Sequence, residues 1–203
     1  MTASPVSSLW TTTDSSLHQT LVFIDFAEAW AYMNAVAAKA EELDHHPDWS
    51  NSWNRVVIDL RSHDKGKVTA RDHDLAAAAD EALRAVLKPR ATSYAQTFAA
   101  HLIAARWAGA HAMLAPALAA NMSEADLRTR FTTMDDMSDP LTEWAVEDEF
   151  LLTAWPDRAD NDLLWAYCSM WGKSLVEAVT VTITMAVGEP RTLAIGRIDF
   201  GRP

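Results

Sequence analysis

From Arg55 to Leu60 the side chains alternate, with Val56, Ile58 and Leu60 on one face and Arg55, Val57 and Asp59 on the other. The segment from Trp53 to Leu60 therefore reads as a half-buried strand, which needs sheet partners and a covering layer. Its neighbours supply both. Residues 19–24, QTLVFI, are short, apolar and partly β-branched, and read as a first strand. Asp25 with Glu28 has the form of a capping box, and Phe26, Trp30, Met33, Ala37 and Ala40 follow at the spacing of one buried helical stripe ending near Leu43. Gly66 falls in a turn. Thr69 with Asp72 forms a second capping box, opening a helix to about Leu87 whose inner stripe is Leu75, Ala79, Leu83 and Val86.

Lys88-Pro89-Arg90 is expected to break that helix, because proline lacks the amide hydrogen a helix interior uses. The break divides the chain into domains 1–90 and 91–203. Beyond it, residues 93–120 read as largely helical, with Gly109 and Pro116 as interruptions, and Ser123 with Asp126 caps a helix toward Met134. The pattern then changes. EAVTVTITMAV and RTLAIGRIDFG are β-rich and joined at Gly188-Glu189-Pro190, and LLWAYCSMW reads as a further strand. The fold class is α+β: an antiparallel sheet with two helices, then a second α+β domain of helices followed by antiparallel strands. That second domain is similar to the NTF2-like fold in element order alone.

A formal charge of -11 argues against a nucleic-acid partner, which needs a basic footprint, and against adhesion to anionic membranes. The lone Cys168 excludes an internal disulfide and a cysteine-rich zinc site, and suits a reducing compartment. The N-terminal MTASPVSSLWTTTDSS has no basic and apolar signal regions, and no apolar run approaches the length of a membrane span. A cytoplasmic location is the expectation.

Chemistry concentrates in Glu41 to Asp72, which holds His45, His46 and His63 among several carboxylates. Imidazole both gives and accepts a proton near neutral pH. His46 precedes Pro47 and is pushed toward extended backbone, so His45 and His46 are expected to point apart. The order Glu41, His45-His46-Pro47, Trp49, Trp53, Ser62-His63-Asp64, Gly66, Thr69, Asp72 resembles the pterin-4a-carbinolamine dehydratases. The likeness starts at Phe23-Ile24-Asp25-Phe26 with Glu28-Ala29 and ends at Asp74-Leu75-Ala76, covering about residues 10 to 87. Two departures stand out. The family's Gly-Gly-Leu-Thr turn is Gly66-Lys67-Val68-Thr69 here, and the helix that normally precedes the first strand is missing or much shortened.

The resemblance implies a lyase that dehydrates a 4a-hydroxy-tetrahydropterin without cofactor or metal, acting as a homo-oligomer on a small-molecule pterin. It implies that His46 and His63 do acid/base chemistry, that His45 helps bind and orient substrate, and that Glu41, Pro47, Trp49 and Asp72 belong to the pocket. Each has a plainer explanation. Asp72 is accounted for by capping, Glu41 by a solvated helix end, and Trp49 and Trp53 by packing. Of the two, Trp49 is the better pocket candidate, since Trp53 opens a strand. Trp10 is expected to dock on the domain that follows. Zinc hydrolysis is a rival class, but adjacent histidines on extended backbone are not spaced as metal ligands, and no HxxxH or HxH occurs. The alternative within the family is a non-catalytic ligand-binding or assembly module.

Overall fold

Val56, Ile58 and Leu60 are buried on one face of their strand, as their alternation requires, and they lie in the core of the first of two units. The computed structural model describes residues 7–135, 138–186 and 189–201. By contacts, the units are Met1–Leu87 with Ala186–Thr192, and Lys88–Met185 with Leu193–Pro203. The first contains β1 (Thr11–Thr12), β2 (Leu17–Val22), α1 (Phe26–Glu42), β3 (Asp48–Ser52), β4 (Arg55–Leu60) and the start of α2 (Ala70–Ile103). Its antiparallel sheet has the order β1-β2-β4-β3, with Leu17 opposite Leu60 and Trp49 opposite Ile58.

The cap of α1 is shared out differently from a regular capping box. Asp25 accepts from the Glu28 amide at 2.8 Å, but Glu28 reaches back to the Ile24 amide at 3.1 Å. The buried face of α1 is Ala29, Tyr32, Val36 and Ala40, not the stripe through Phe26 and Trp30. Those two are 46% and 50% exposed and stack on each other, ring centroids 5.8 Å apart. Tyr32, fully buried on this face, has its ring centroid 5.4 Å from that of Phe23. Burial, and then the charge of Asp80, push the Tyr32 phenol well above its ordinary range, so it stays protonated.

Trp53 does not begin β4. It sits with Asn54 in a two-residue hairpin turn between β3 and β4, at φ +53 and 65% exposed. The strand β3 lacked an apolar alternation to announce it, because Asp48, Ser50 and Ser52 face solvent on the sheet's edge. Asn54 fixes the turn by donating its side-chain amide to the Phe23 carbonyl at 2.6 Å.

Trp10 is buried and its indole Nε1 donates to Asp80 Oδ1 at 2.9 Å, beside Ser7 Oγ donating to Oδ2 at 2.6 Å. Asp80 is itself buried on α2, so the segment before β1 is strapped to the helix through a desolvated carboxylate. Trp10→Phe keeps most of the ring packing and removes one charge-assisted donor. It is expected to lower unfolding free energy by about 1–3 kcal/mol, read as a shift of the urea midpoint at unchanged slope.

The expected break at Lys88-Pro89-Arg90 does not occur, for α2 continues through Pro89 to Ile103. A proline removes one backbone bond and costs about 3 kcal/mol in a helix interior. Against this, Leu83 and Leu87 before it and Ala91, Ala95, Phe98 and Leu102 after it are all buried. The proline ring itself faces solvent. Thr92 and Ser93 hydroxyls donate to the carbonyls of Lys88 and Pro89 at 3.0 and 3.1 Å, within the same stretch.

After α2 follow α3 (Trp107–His111), α4 (Pro116–Ala119) and α5 (Glu124–Met134), then β5 (Glu143–Leu152), β6 (Asp162–Trp171), β7 (Val176–Ala186) and β8 (Glu189–Phe200). Ser123 and Asp126 form the full capping box of α5. The sheet order is β5-β6-β7-β8. The acidic Glu147-Asp148-Glu149 lies within β5, an edge strand that the charge run concealed. Gly188 of the expected hairpin turn lies outside the described residues. The chain between α3 and α4 adds to β8, where the Ile195 amide donates to the Met113 carbonyl and the Ala115 amide to the Ile195 carbonyl, each at 2.8 Å. No helix among the described residues is long and apolar enough to cross a membrane.

Candidate active site

The end of α1 decides where the histidines point. Its last turn closes with two crossed bonds, the His45 amide donating to the Ala40 carbonyl at 3.0 Å and the Asp44 amide to the Glu41 carbonyl at 3.2 Å. This is a Schellman closure, with Asp44 at φ +47 in the left-handed position that glycine usually takes. The turn sends His45 inward, where it is 7% exposed, and leaves His46 outside. The two rings point apart, as the extended backbone before Pro47 requires.

Each histidine beside this turn meets its own carboxylate. His45 Nε2 lies 2.7 Å from Asp72 Oδ1. His46 Nε2 lies 2.8 Å from Glu41 Oε1 on the preceding helical turn. His63, just past β4, has Nε2 3.3 Å from Asp48 Oδ2, which also faces Arg61 Nε at 3.3 Å. An ionised carboxylate only accepts, so in the His45 pair Nε2 carries the hydrogen and the neutral ring keeps Nδ1 as its acceptor.

Asp72 is the hub beneath. It is the third residue of α2 and fully buried, and its Oδ2 accepts from the Thr69 amide at 2.7 Å, Ser62 Oγ at 2.9 Å and Thr69 Oγ1 at 3.1 Å. Burial alone would push its carboxyl up, but the hydrogen bonds from His45, the Thr69 amide, Ser62 and the Thr69 hydroxyl together bring it below the ordinary carboxylate value. Gly66, at φ +63, completes the turn that carries His63, with the Gly66 and Lys65 amides both donating to the Ser62 carbonyl.

His45, His46 and His63 line one open cavity of about 270 Å³, together with Ser62, Asp64 and Arg71. The other expected residues are not in its lining. Glu41 stands behind His46, and Asp72 is reached only through His45 and Ser62. Pro47 is half-buried between His46 and β3, Trp49 is half-buried within β3, and Trp53 sits in the hairpin turn of β3 and β4. Trp10 serves the strap on Asp80. Among the described residues, no three His, Cys, Asp or Glu side chains converge as metal ligands.

Arg71 and Asp48 were not foreseen. Arg71 Nη2 pairs with Asp64 Oδ1 at 3.0 Å at the cavity edge. The signal was there: a cation in the first turn of a helix opposes the helix dipole, and such a local conflict points to a site. Asp48 had no signal beyond its place next to Pro47.

Residues 2–82 match the family model described as pterin 4 alpha carbinolamine dehydratase. A protein of Solibacter usitatus named "Putative pterin-4-alpha-carbinolamine dehydratase" is 45% identical over 73 residues, covering 36% of this chain and 77% of that protein. One of Rhodospirillum rubrum with the same name is 49% identical over 73 residues, covering 35% and 76%. A crystal structure titled transcriptional coactivator/pterin dehydratase, from Brucella melitensis, is 32% identical over 38% of this chain and 84% of that one, with a TM-score of 0.37.

Proposed function

The chain belongs to the pterin-4a-carbinolamine dehydratase family, and on that premise we propose that its first unit removes water from a 4a-hydroxy-tetrahydropterin to give the quinonoid dihydropterin. The observation that carries this reading is that three histidines, each beside a carboxylate, line one cavity. Dehydration needs an acid for the leaving hydroxyl and a base for the hydrogen on the adjacent ring nitrogen. One imidazolium protonates the 4a-hydroxyl as its C–O bond breaks and water departs. A second, neutral imidazole takes the hydrogen from the ring nitrogen, whose electron pair closes the new C=N bond. The enzyme's net proton count is unchanged over the cycle.

We assign the acid and base roles to the two exposed rings, His46 and His63, and the orienting role to His45, which Asp72 holds by hydrogen bond. Glu41 and Asp48 then orient the ring that each faces. Proton transfer of this kind is worth about 10²- to 10⁴-fold. Pro47 and Trp49 act by shaping the backbone beside the cavity. Catalysis on this reading lies within residues 1–90, in a homo-oligomer, while residues 91–203 form a separate α+β domain of NTF2-like element order.

The test is the rate of dehydration of a 4a-hydroxy-tetrahydropterin with the full-length protein, before and after dialysis against a chelator. Acceleration over the uncatalysed rate, equal in both samples, is the expected result. Loss of activity restored by zinc supports hydrolytic metal chemistry instead, and pterin binding without turnover supports the non-catalytic module.

A further inference from the structure

The second unit holds a cavity of about 720 Å³ on the side of β7 that carries Thr180, Thr182 and Thr184, and it shares no lining residue with the histidine cavity. Its volume lies within the usual range for a small-molecule pocket. Thr184 is satisfied, accepting from the Asn161 side-chain amide at 2.6 Å and donating to the Asn161 carbonyl at 3.2 Å. Thr180 and Thr182 are only 3% and 6% exposed, and neither hydroxyl has a partner among the described residues. Neither oxygen is sealed from the cavity, since the only sealed and unpaired side-chain atom among those residues is Nδ1 of His73. Buried hydroxyls are normally paired, so two on one strand that line one cavity mark where a partner arrives from outside.

The charged members of the lining are settled without a ligand. Asp162 Oδ2 accepts from the Ala159 amide at 3.0 Å, Arg197 Nε donates to Asp199 Oδ2 at 3.0 Å, and Asp157 is exposed to solvent. What is left for a ligand is uncharged: the two hydroxyls, each able to give and to accept a hydrogen bond, and the half-buried indoles of Trp155 and Trp165. Trp165 stands opposite Thr182 across β6 and β7, so a flat apolar wall and a hydrogen-bonding group lie side by side.

We propose that this cavity is a second ligand site, for a neutral flat heterocycle that carries a donor and an acceptor on one edge, as a cyclic amide does. The indoles stack on the ring. Thr180 and Thr182 are two residues, about 6.6 Å, apart along the strand, so they meet two atoms of that edge rather than one. A purely apolar ring of the same size leaves both hydroxyls unpaired, and a sugar brings more hydroxyls than the lining has buried groups to pair. An ion of either sign meets charges that are already engaged or in water, and loses its own hydration without a buried counter-charge. The site stands whether or not the first unit is a dehydratase.

Quinazolin-4-one is neutral near neutral pH and carries such an edge, and its 3-methyl derivative keeps the ring but loses the donor. Titration calorimetry of the full-length protein with each tests the idea. The parent compound is expected to saturate with a dissociation constant below about 1 mM, the affinity of about a dozen well-placed heavy atoms, and the methylated one to bind at least about 3-fold more weakly. Thr180→Val and Thr182→Val keep the side-chain shape, and each is expected to weaken the parent compound about 3- to 10-fold. The hydroxyl removed has no partner in the fold, so the thermal midpoint is expected to hold or rise. Binding that His63→Ala weakens and the threonine variants leave unmoved belongs to the histidine cavity and overturns the proposal. Absence of saturation, equal binding of the two compounds, preference for methyl glucoside, or a thermal midpoint lowered by either valine would overturn it as well.

Discussion

His63→Ala is expected to lower the turnover number of dehydration by about 10²- to 10⁴-fold while changing KM by much less. The ring is exposed and lines the cavity, and beyond its contact with Asp48 it makes no hydrogen bond among the described residues that the fold depends on. Its loss therefore removes a proton donor or acceptor without collapsing the site. Steady-state kinetics with a thermal melt of the same sample separates the outcomes. A fall in kcat at unchanged melting temperature assigns His63 to the chemistry. A raised KM at full kcat makes it a binding group, and no change removes it from the mechanism. His46→Ala provides the comparison, since its ring is equally exposed and its carboxylate, Glu41, lies on α1 rather than on the sheet.

Asp72→Ala is expected to cost about 3–5 kcal/mol of stability, the scale for breaking a buried charged pair by removing one partner. The carboxylate satisfies a ring nitrogen of His45, the Ser62 hydroxyl, and both the amide and hydroxyl of Thr69. Alanine leaves these donors facing a hole. Asp72→Asn keeps the shape but points an amide nitrogen at donors, and about 1–3 kcal/mol is expected. The pH dependence has a definite sign. The folded-state carboxyl titrates below its unfolded value, so its contribution is present above that value. It is lost as pH falls through about 4 toward the folded value. Urea midpoints measured from pH 7 to pH 3 should fall with acid in the parent protein, and less steeply in Asp72→Asn. Parallel slopes would show that Asp72 does not drive the acid dependence.

Much of the site was legible because local rules and tertiary structure agree there. The pre-proline restriction at His46, the cap between Thr69 and Asp72, and the alternation that ends at Leu60 each fix a backbone direction by nearest-neighbour sterics or hydrogen bonding. The histidines follow from those directions. What the sequence hid depended on competition between comparable local options. Two stripes of α1 obey the same spacing, and weighting by size favoured Phe26 and Trp30 over the small residues that face the sheet. Pro89 carries a strong breaker signal, yet burial on both sides of it outweighs one lost bond. The strands β3 and β5 are edges, where polar and half-exposed side chains blur the apolar alternation by which strands are recognised. Arg71 reaches the cavity, and Asp48 reaches His63, across folds of the chain that no spacing rule encodes, though the misplaced charge of Arg71 was a hint.

The strand β7 buries both of its faces, with Val179, Val181, Ile183 and Met185 on one and Thr180, Thr182 and Thr184 on the other. In a strand with one solvent face, a slip by a residue turns the single buried set out to water. Here a slip of one position against β6 would exchange the two sets entirely, driving three hydroxyls into an apolar layer and four apolar side chains into a polar one. At about 1–3 kcal/mol for each stranded hydroxyl, the misaligned pairing is several kcal/mol above the native one before any packing is counted. The threonines thus act as a reading frame for assembly of the sheet.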